Sequence, residues 1–153
     1  MTVAKQALSG AAGSMKLEIF IDGAARGNPG PAACGVLVRD AAGATLLAEG
    51  RYLGHGTNNF AEYQGLLLAL ALARRLGGTE LAIRSDSELL VRQMTGAYKV
   101  KAPQLRLLWR RAQAAAGRFA LVTFAHVPRE HNAEADALAN EALRQAKRDG
   151  RLG

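Results

Sequence analysis

Residues 17–31 constrain the fold more than any other part of the chain. Leu17, Ile19 and Ile21 recur at alternate positions, which is the pattern of a β-strand with one buried face. The strand ends on an acid, Asp22. Residues that forbid regular structure then follow: Gly23, Gly27, Pro29, Gly30 and Pro31. The segment therefore predicts a buried strand that delivers one carboxylate to a glycine-rich turn.

The function of this turn is open when the turn is taken alone. An aspartate at the end of a strand commonly starts a turn without any catalytic role. A glycine-rich turn after a strand also occurs in dinucleotide-binding folds. Here the G-x-G-x-x-G spacing is absent and the next segment is a strand rather than a helix, which disfavours a dinucleotide site.

The hydrophobic pattern predicts five strands and four helices. The strands are expected at 16–22, 34–39, 44–52, 80–84 and 118–125, and the helices at 59–76, 85–94, 103–115 and 132–147. Three closely spaced strands indicate an antiparallel meander, whereas a helix, a strand and another helix indicate parallel crossovers. The expected fold is α/β: a mixed five-stranded sheet, with three antiparallel meander strands plus two parallel strands, flanked by helices.

Polar residues at the predicted helix starts are expected to act as N-caps. Asn59 and Ser85 each precede a glutamate by three positions, Glu62 and Glu88 respectively, as in a capping box. Asn132 is expected to cap the last helix, and residues 54–59 are expected to form a polar loop.

The chain has 153 residues, a length that fits one domain. We expect a flexible N-terminal extension over 1–14, a domain over 15–146 and a basic C-terminal tail over 147–153. No run of 18 apolar residues exists, so no membrane partner is expected. The one cysteine, Cys34, lies in an apolar run and is expected in the core, so we expect a protein of a reducing compartment, the cytoplasm. We also expect a monomer.

The net charge of +7 allows two interpretations. A small basic domain commonly binds nucleic acid, but a basic protein can also carry its charge merely on a solvated surface. Aromatic residues make up only 5% of the chain, which disfavours a stacking platform for single strands.

Four acids stand at junctions between predicted elements: Asp22, Glu62, Asp86 and Asp136. Each has an ordinary explanation as a turn former, a capping residue or a favourable charge in a first helical turn. The predicted sheet, however, can bring all four to one edge, where their mutual repulsion calls for hard divalent cations such as Mg²⁺ or Mn²⁺. Two such ions suit phosphodiester hydrolysis, so a basic chain with this site is plausible as a nuclease.

Four motifs in this order resemble the type 1 ribonuclease H family. They are Ile21–Pro31, Thr57–Tyr63, Ser85–Ser87 and Asn132–Ala139, and the likeness extends over about residues 15–146. The resemblance implies a ribonuclease H-like fold and an endonuclease that cuts the RNA strand of an RNA–DNA hybrid with two Mg²⁺ or Mn²⁺ ions. Its products would carry 5′-phosphate and 3′-hydroxyl ends.

The resemblance also implies roles for individual residues. Asp22, Glu62, Asp86 and Asp136 would be the catalytic metal ligands, with Glu62 also near the RNA 2′-hydroxyl and the attacking water. Four residues would lie along the minor groove of the hybrid, where 2′-hydroxyls distinguish RNA from DNA: Gly23, Asn28, Asn58 and Asn59.

Two departures from the common bacterial pattern make the chain similar to the short archaeal and actinobacterial members. The basic protrusion is reduced to residues 95–103, so Lys99 and Lys101 are expected to contact the substrate, helped by Arg106 and Arg110 unless these lie on a merely solvated face. The loop before the last acid is short, and Arg129 and His131 compete for the role of assisting turnover. Two other functions stay open: cleavage of double-stranded RNA by the same site, and non-catalytic hybrid binding.

Overall fold

The computed structural model describes residues 14–152, which form one mixed sheet with four α-helices. The strands are β1 (Lys16–Ala25), β2 (Gly30–Asp40), β3 (Thr45–Gly56), β4 (Glu80–Ser85) and β5 (Leu121–His126), in the spatial order β3-β2-β1-β4-β5. The helices are α1 (Asn58–Arg75), α2 (Glu88–Met94), α3 (Pro103–Ala116) and α4 (Ala133–Arg148). The predicted five-stranded mixed sheet is confirmed.

Two predicted segments lie partly or wholly beyond the described residues. All of the expected N-terminal extension except Ser14 falls outside them, as does Gly153 of the expected C-terminal tail. The first residues of that tail, Lys147 and Arg148, belong to α4. The domain boundaries stay predictions.

Strand β1 is the centre of the sheet. It pairs antiparallel with β2 on one side, where Asp22 faces Gly35, and parallel with β4 on the other, where Ile21 faces Ser85. The carboxyl ends of β1 and β4 therefore lie side by side, as parallel pairing requires.

The two faces of β1 bury different helices. Leu17, Ile19 and Ile21 are at most 2% exposed and belong to the apolar core that α1 and α3 complete. On the opposite face of the sheet, Gly35, which belongs to β2 and pairs with Asp22 of β1, lies against the backbone of Ala135 in α4. Helix α1 is buried on most of its surface, as its nearly continuous apolar run predicts, because it is enclosed by the sheet and by α3.

The predicted helix starts are close to the observed ones, but two of the three predicted capping residues, Asn59 and Ser85, are wrong. Helix α1 is capped by Thr57, whose side-chain hydroxyl accepts a hydrogen bond from the Phe60 N–H, and not by Asn59. Helix α2 is capped by Ser87, and the predicted cap Ser85 is instead the last residue of β4. Asn132 holds the cap position of α4, yet its side chain makes no capping hydrogen bond.

Four strand limits also differ from the expectation. Strand β1 continues to Ala25 and strand β2 begins at Gly30, so the prediction that Gly23, Gly30 and Pro31 forbid regular structure is wrong: pairing between β1, β2 and β3 keeps these residues in the sheet.

Strand β3 continues through the predicted loop to Gly56, because residues as far as Gly30 of β2 pair with it. Strand β5 begins at Leu121 rather than at Arg118. The expected core position of Cys34 is confirmed, since its exposed fraction is 0%. Among the described residues, no helix combines the length and the apolar character needed to cross a membrane.

Candidate metal and nucleic-acid site

Asp22 lies near the carboxyl end of the central strand β1, directly after the point where the pairing of β1 with β4 ends. It is 5% exposed and is followed by Gly23, the point at which β1 comes against the start of α1. A Cβ atom on Gly23 would lie 2.3 Å from the carbonyl carbon of Ala61, so only glycine permits this approach. The close packing brings Glu62, the next residue of α1, beside Asp22.

Asp86 joins these two acids from the end of β4. It stands between the last residue of that strand, Ser85, and the cap of α2, Ser87. Asp22, Glu62 and Asp86 each offer a carboxylate oxygen, and these oxygens all lie within 4.8 Å of one another. Parallel pairing of β1 with β4 thus turns acids that are far apart in sequence into one cluster.

Asp136 reaches the same place from the first turn of α4. Helix α4 approaches β2 closely because Gly35 has no side chain: a Cβ atom there would lie 2.2 Å from the Ala135 carbonyl oxygen. Asp136 lies outside the three-residue cluster but interacts with the Asp22 carboxyl group, and it borders the same cleft.

The cleft has a volume of about 400 Å³, and we call it the carboxylate cleft. Its lining consists of Asp22, Gly23, Ala24, Ala25, Asn58, Glu62, Asp86, Arg129 and Asp136. All four predicted acids are therefore brought together at one opening, with a single arginine among them.

Burial and repulsion raise the pKa values of the two inner acids. Desolvation, followed by the charge of Asp86 and the proximity of Asp136, raises the pKa of Asp22 to about 8. Desolvation, followed by the charges of Asp22 and Asp86, raises the pKa of Glu62 to about 9, although the Gly23 backbone N–H opposes this shift. The cluster is thus unfavourable as a set of bare carboxylates.

The donor set fits hard divalent cations. The clustered ligand atoms are all carboxylate oxygens, which suit Mg²⁺ or Mn²⁺, and none of the three residues is the histidine or cysteine that zinc prefers. In addition, the Glu62 Oε1 atom is buried without a hydrogen-bond partner among the described residues. A cation would satisfy this atom and remove the repulsion that raises both pKa values.

The two residues that compete for the turnover role occupy different places. Both belong to a 3-10 turn, Arg129–His131, just before α4. Arg129 borders the carboxylate cleft, whereas His131 borders a separate cavity of about 100 Å³ beside Phe20 and Arg39. The geometry therefore brings the arginine, and not the histidine, to the acids.

The predicted minor-groove residues first serve to build the rim of the cleft. The Asn28 side-chain oxygen accepts a hydrogen bond from the Asn58 N–H at 3.0 Å, and the Asn58 side-chain oxygen accepts one from the Ala25 N–H at 2.9 Å. These bonds fasten the glycine-rich turn to the start of α1. Asn59 is exposed and borders a neighbouring cleft that also contains Asn28 and His55.

The two predicted substrate lysines lie on the exposed segment between α2 and α3. Lys99 and Lys101 are both exposed. Arg106 donates hydrogen bonds to the carbonyl groups of Val100 and Lys101, at 3.1 and 3.3 Å, so it braces this segment from α3. The sequence predicted that Arg106 either contacts the substrate or lies on a solvated face, and it did not predict the brace.

The sequence reasoning also missed a side-chain link between α4 and β1. The Asn132 side-chain amide donates to the Ile21 carbonyl oxygen at 2.8 Å, across 111 positions of sequence. The motif around Asn132 marked the residue, but its position before a helix favoured the capping interpretation.

A family model described as reverse transcriptase-like matches residues 20–142. Together with the sheet order and the carboxylate cleft, this match defines a protein of the ribonuclease H-like class. One similar solved structure is the N-terminal RNase H domain of a bifunctional Mycobacterium tuberculosis protein, which was solved as a fusion with maltose binding protein. Its sequence is 44% identical to this chain, and the two structures superpose with a TM-score of 0.85. The match covers 90% of this chain and 99% of that chain.

Two further solved structures give the same result. RNase H1 from Halobacterium salinarum is 42% identical with a TM-score of 0.84, covering 86% of this chain and 99% of that one. LC11-RNase H1 in complex with an RNA/DNA hybrid is 44% identical with a TM-score of 0.82, covering 85% and 98%. The chain belongs to the ribonuclease H family.

The chain is shorter than several of its relatives. It spans 36% of the length of the full-length mycobacterial bifunctional protein, to which it is 48% identical over 130 residues. It spans 66% of the Halobacterium ribonuclease HI.

Proposed function

We propose that this chain is an endoribonuclease that hydrolyses the RNA strand of RNA–DNA hybrids and leaves 5′-phosphate and 3′-hydroxyl ends. The observation that carries the proposal is the cluster of Asp22, Glu62 and Asp86, whose carboxylate oxygens lie within 4.8 Å of one another in a cleft that also contains Asp136. The proposal is supported by the 44% identity to an RNase H1 that was solved with an RNA/DNA hybrid.

Asp22, Glu62, Asp86 and Asp136 would hold two divalent cations, Mg²⁺ or Mn²⁺. When bound, such ions activate water and neutralise the charge that develops on the phosphate and the leaving oxygen. The four carboxylates would hold the ions at the base of the cleft. Glu62 lies at the α1 side of the cleft, where it would orient the attacking water and meet the 2′-hydroxyl.

The other residues at the rim would bind and orient the hybrid. Gly23, Asn28, Asn58 and Asn59 offer backbone and amide groups for sugars and 2′-hydroxyls in the minor groove. Arg129 would hold a phosphate or help the product leave, since an arginine stays charged and cannot shuttle a proton at neutral pH. His131 borders a separate cavity, so we assign it no part in this step.

Lys99 and Lys101 would contact phosphates on the far side of the hybrid. We further propose that the chain works as a monomer, because one chain alone supplies every residue of the carboxylate cleft. A cytoplasmic location agrees with its free, fully buried cysteine.

The deciding experiment measures cleavage of a labelled RNA–DNA hybrid of defined sequence with Mg²⁺, with Mn²⁺ and with EDTA. Wild-type protein is expected to cut only the RNA strand and only with metal. Asp22→Asn should reduce the rate by more than about 100-fold because it removes a central ligand, while hybrid binding persists. Asp149→Asn, at an exposed acid near the end of α4, is the matched control and should cut normally.

Two outcomes would contradict the proposal. Normal cleavage by Asp22→Asn would remove the assignment of the metal ligands. Tight hybrid binding without any metal-dependent cleavage by the wild type would identify a binding module instead. A parallel assay on an RNA duplex tests whether the same site also cuts double-stranded RNA.

A further inference from the structure

We propose that Asn132 is a positioning residue that fixes the spacing between Asp22 and Asp136, and through it the affinity of the cleft for divalent cations. The inference rests on the proposed function in one respect, namely that these acids bind metal. Asn132 itself does not border the carboxylate cleft; it borders the smaller cavity beside Phe20 and Arg39.

The Asn132 side chain makes one long-range hydrogen bond, and its acceptor belongs to Ile21, the residue directly before Asp22. Its side-chain amide donates to the Ile21 carbonyl oxygen at 2.8 Å, and the residue is 1% exposed. The pairing of β1 with β4 ends at Ile21 and Ser85. The Asn132 amide therefore holds β1 at the last point before the strand delivers Asp22 to the cleft.

The backbone of the same residue holds Asp136. The Asp136 N–H donates to the Asn132 carbonyl oxygen at 3.1 Å, which is the first helical hydrogen bond of this turn. A single residue thus connects the strand that carries Asp22 to the turn that carries Asp136. Its side-chain hydrogen bond joins β1 directly to the residue that precedes α4.

This contact replaces the one that the position normally favours. An asparagine before a helix commonly accepts a hydrogen bond from an N–H of the first turn, and this stabilises the helix. The Asn132 side chain makes no such bond, and its Oδ1 atom is buried without a partner among the described residues. The side chain is therefore used for the link to β1 and not for stabilising α4.

The link sets the spacing of the two acids because one end holds the residue before Asp22 and the other holds the turn that carries Asp136. Without it, packing at Gly35 and the Arg39–Glu134 ion pair still hold α4 on the sheet, but the first turn of α4 is less tightly fixed to β1, and the two acids no longer meet a cation at one fixed spacing. Residues that orient metal ligands from behind typically change metal affinity by about 10- to 100-fold when they are removed.

The test compares Mn²⁺ binding to the full chain, measured by calorimetry, with thermal melting in EDTA. Two variants remove the amide: Asn132→Ala, and Asn132→Leu, which keeps the side-chain volume and suits a buried site. Both are expected to weaken Mn²⁺ binding by about 10-fold or more. Asn132→Ser, whose hydroxyl is a donor, should bind Mn²⁺ more tightly than either.

Gln113→Ala is the matched control. The Gln113 amide also donates to a backbone carbonyl, that of Met94, at 3.0 Å, but it lies on α3 and outside the carboxylate cleft. This variant should melt at a lower temperature and bind Mn²⁺ like the wild type. In the cleavage assay, the Mn²⁺ concentration for half-maximal rate should rise in Asn132→Ala by the same factor as the dissociation constant.

A purely structural role gives a different result. If Asn132→Leu, or Asn132→Ala where it folds, melts at a lower temperature but binds Mn²⁺ like the wild type, the inference is overturned. Wild-type cleavage together with unchanged Mn²⁺ binding in the variants overturns this inference alone. Wild-type Mn²⁺ binding without hybrid cleavage overturns the proposed function alone, and the Asn132 comparison is still decided by the binding data.

Discussion

At the scale of single residues, the main feature is a pair of acids that ionise with difficulty. The pKa values of Asp22 and Glu62 are raised to about 8 and about 9, above the ordinary values of 3.8 and 4.5. At these two acids the folded chain thus binds more protons than the unfolded chain between about pH 4 and pH 9. Their contribution to the free energy of unfolding therefore falls as the pH rises through this window.

The first prediction concerns this pH dependence. In EDTA, the melting temperature of the wild type should fall between pH 5 and pH 9, and Asp22→Asn should flatten the decline because it removes one acid and its repulsion. Calorimetric melts at several pH values measure the effect. Glu141→Gln is the control, since hydrogen bonds from Arg148 and Arg144 lower the pKa of that exposed acid and its loss should not flatten the decline. A wild type with a level profile would contradict the prediction.

The second prediction concerns Cys34. Burial raises the pKa of this thiol to about 12, and its exposed fraction is 0%. Because only the thiolate reacts readily, the native chain should not react with a disulfide reagent at pH 8, whereas the chain in denaturant should react at once. Absorbance of the released thiolate measures both rates, and fast labelling of the native chain would show that this part of the core opens.

At the scale of elements, the sequence predicts which helices and strands exist better than it predicts their ends. Thr57, Asn58 and Asn59 are all suitable caps, and local pattern cannot choose among them. Tertiary contact decides between them. The Asn58 side-chain oxygen accepts a hydrogen bond from the Ala25 N–H of β1, and the helix is capped by Thr57 instead. The extension of β3 to Gly56 has the same origin, since pairing with β2 overrides a glycine-rich sequence.

The third prediction tests the cap of α1. Thr57→Ala should lower the free energy of unfolding by about 1 kcal/mol, because the Phe60 N–H loses its partner. Asn59→Ala is the matched control, since this exposed side chain makes no hydrogen bond among the described residues, and it should change stability by less than about 0.5 kcal/mol. Denaturant titration measures both. A larger loss for the Asn59 variant would restore the capping role that the sequence favoured.

The fourth prediction tests the approach of α1 to β1. Gly23→Ala should destabilise the fold by about 1–3 kcal/mol, because the new methyl group would overlap the backbone at Ala61. It should also lower hybrid cleavage, since Glu62 follows Ala61 directly. Gly117→Ala is the control. Its new Cβ atom would lie 3.4 Å from the Gln113 carbonyl oxygen, an ordinary contact distance, so this variant should keep its stability and activity. Equal behaviour of the two variants in the denaturant and cleavage assays would contradict the proposed importance of the close packing.

At the scale of the whole molecule, the order of elements predicts the sheet and the meeting of the four acids at one edge. The sequence does not predict how Arg129 and His131 divide between two cavities. That division depends on the 3-10 turn Arg129–His131 and on how α4 packs, and both are set by contacts with distant strands. The sequence also does not predict the hydrogen bond from the Asn132 side chain to the Ile21 carbonyl oxygen, because it too depends on the packing of residues that are distant in sequence.

The fifth prediction follows from the net charge of +7. Hybrid binding should weaken steeply with salt, because bound cations are released from each phosphate that the protein contacts. Lys99→Gln and Lys101→Gln should each reduce the slope of log affinity against log salt by about one, if each lysine contacts a phosphate. Lys147→Gln, near the end of α4 farthest from Asp136, should leave the slope unchanged. Fluorescence anisotropy with Asp22→Asn protein measures binding without cleavage. Identical slopes in all three variants would show that Lys99 and Lys101 do not contact phosphates of the hybrid.

The position of α4 in the chain has a consequence for synthesis on the ribosome. Asp136 is delivered by the last of the four described helices, so a nascent chain that ends before α4 contains Asp22, Glu62 and Asp86 but not the element that completes their surroundings. Such a chain exposes the sheet face that α4 covers, and it holds three repelling charges without the fourth. Under the proposed function, we expect the growing polypeptide to cleave hybrids only after α4 has left the exit tunnel and packed on the sheet.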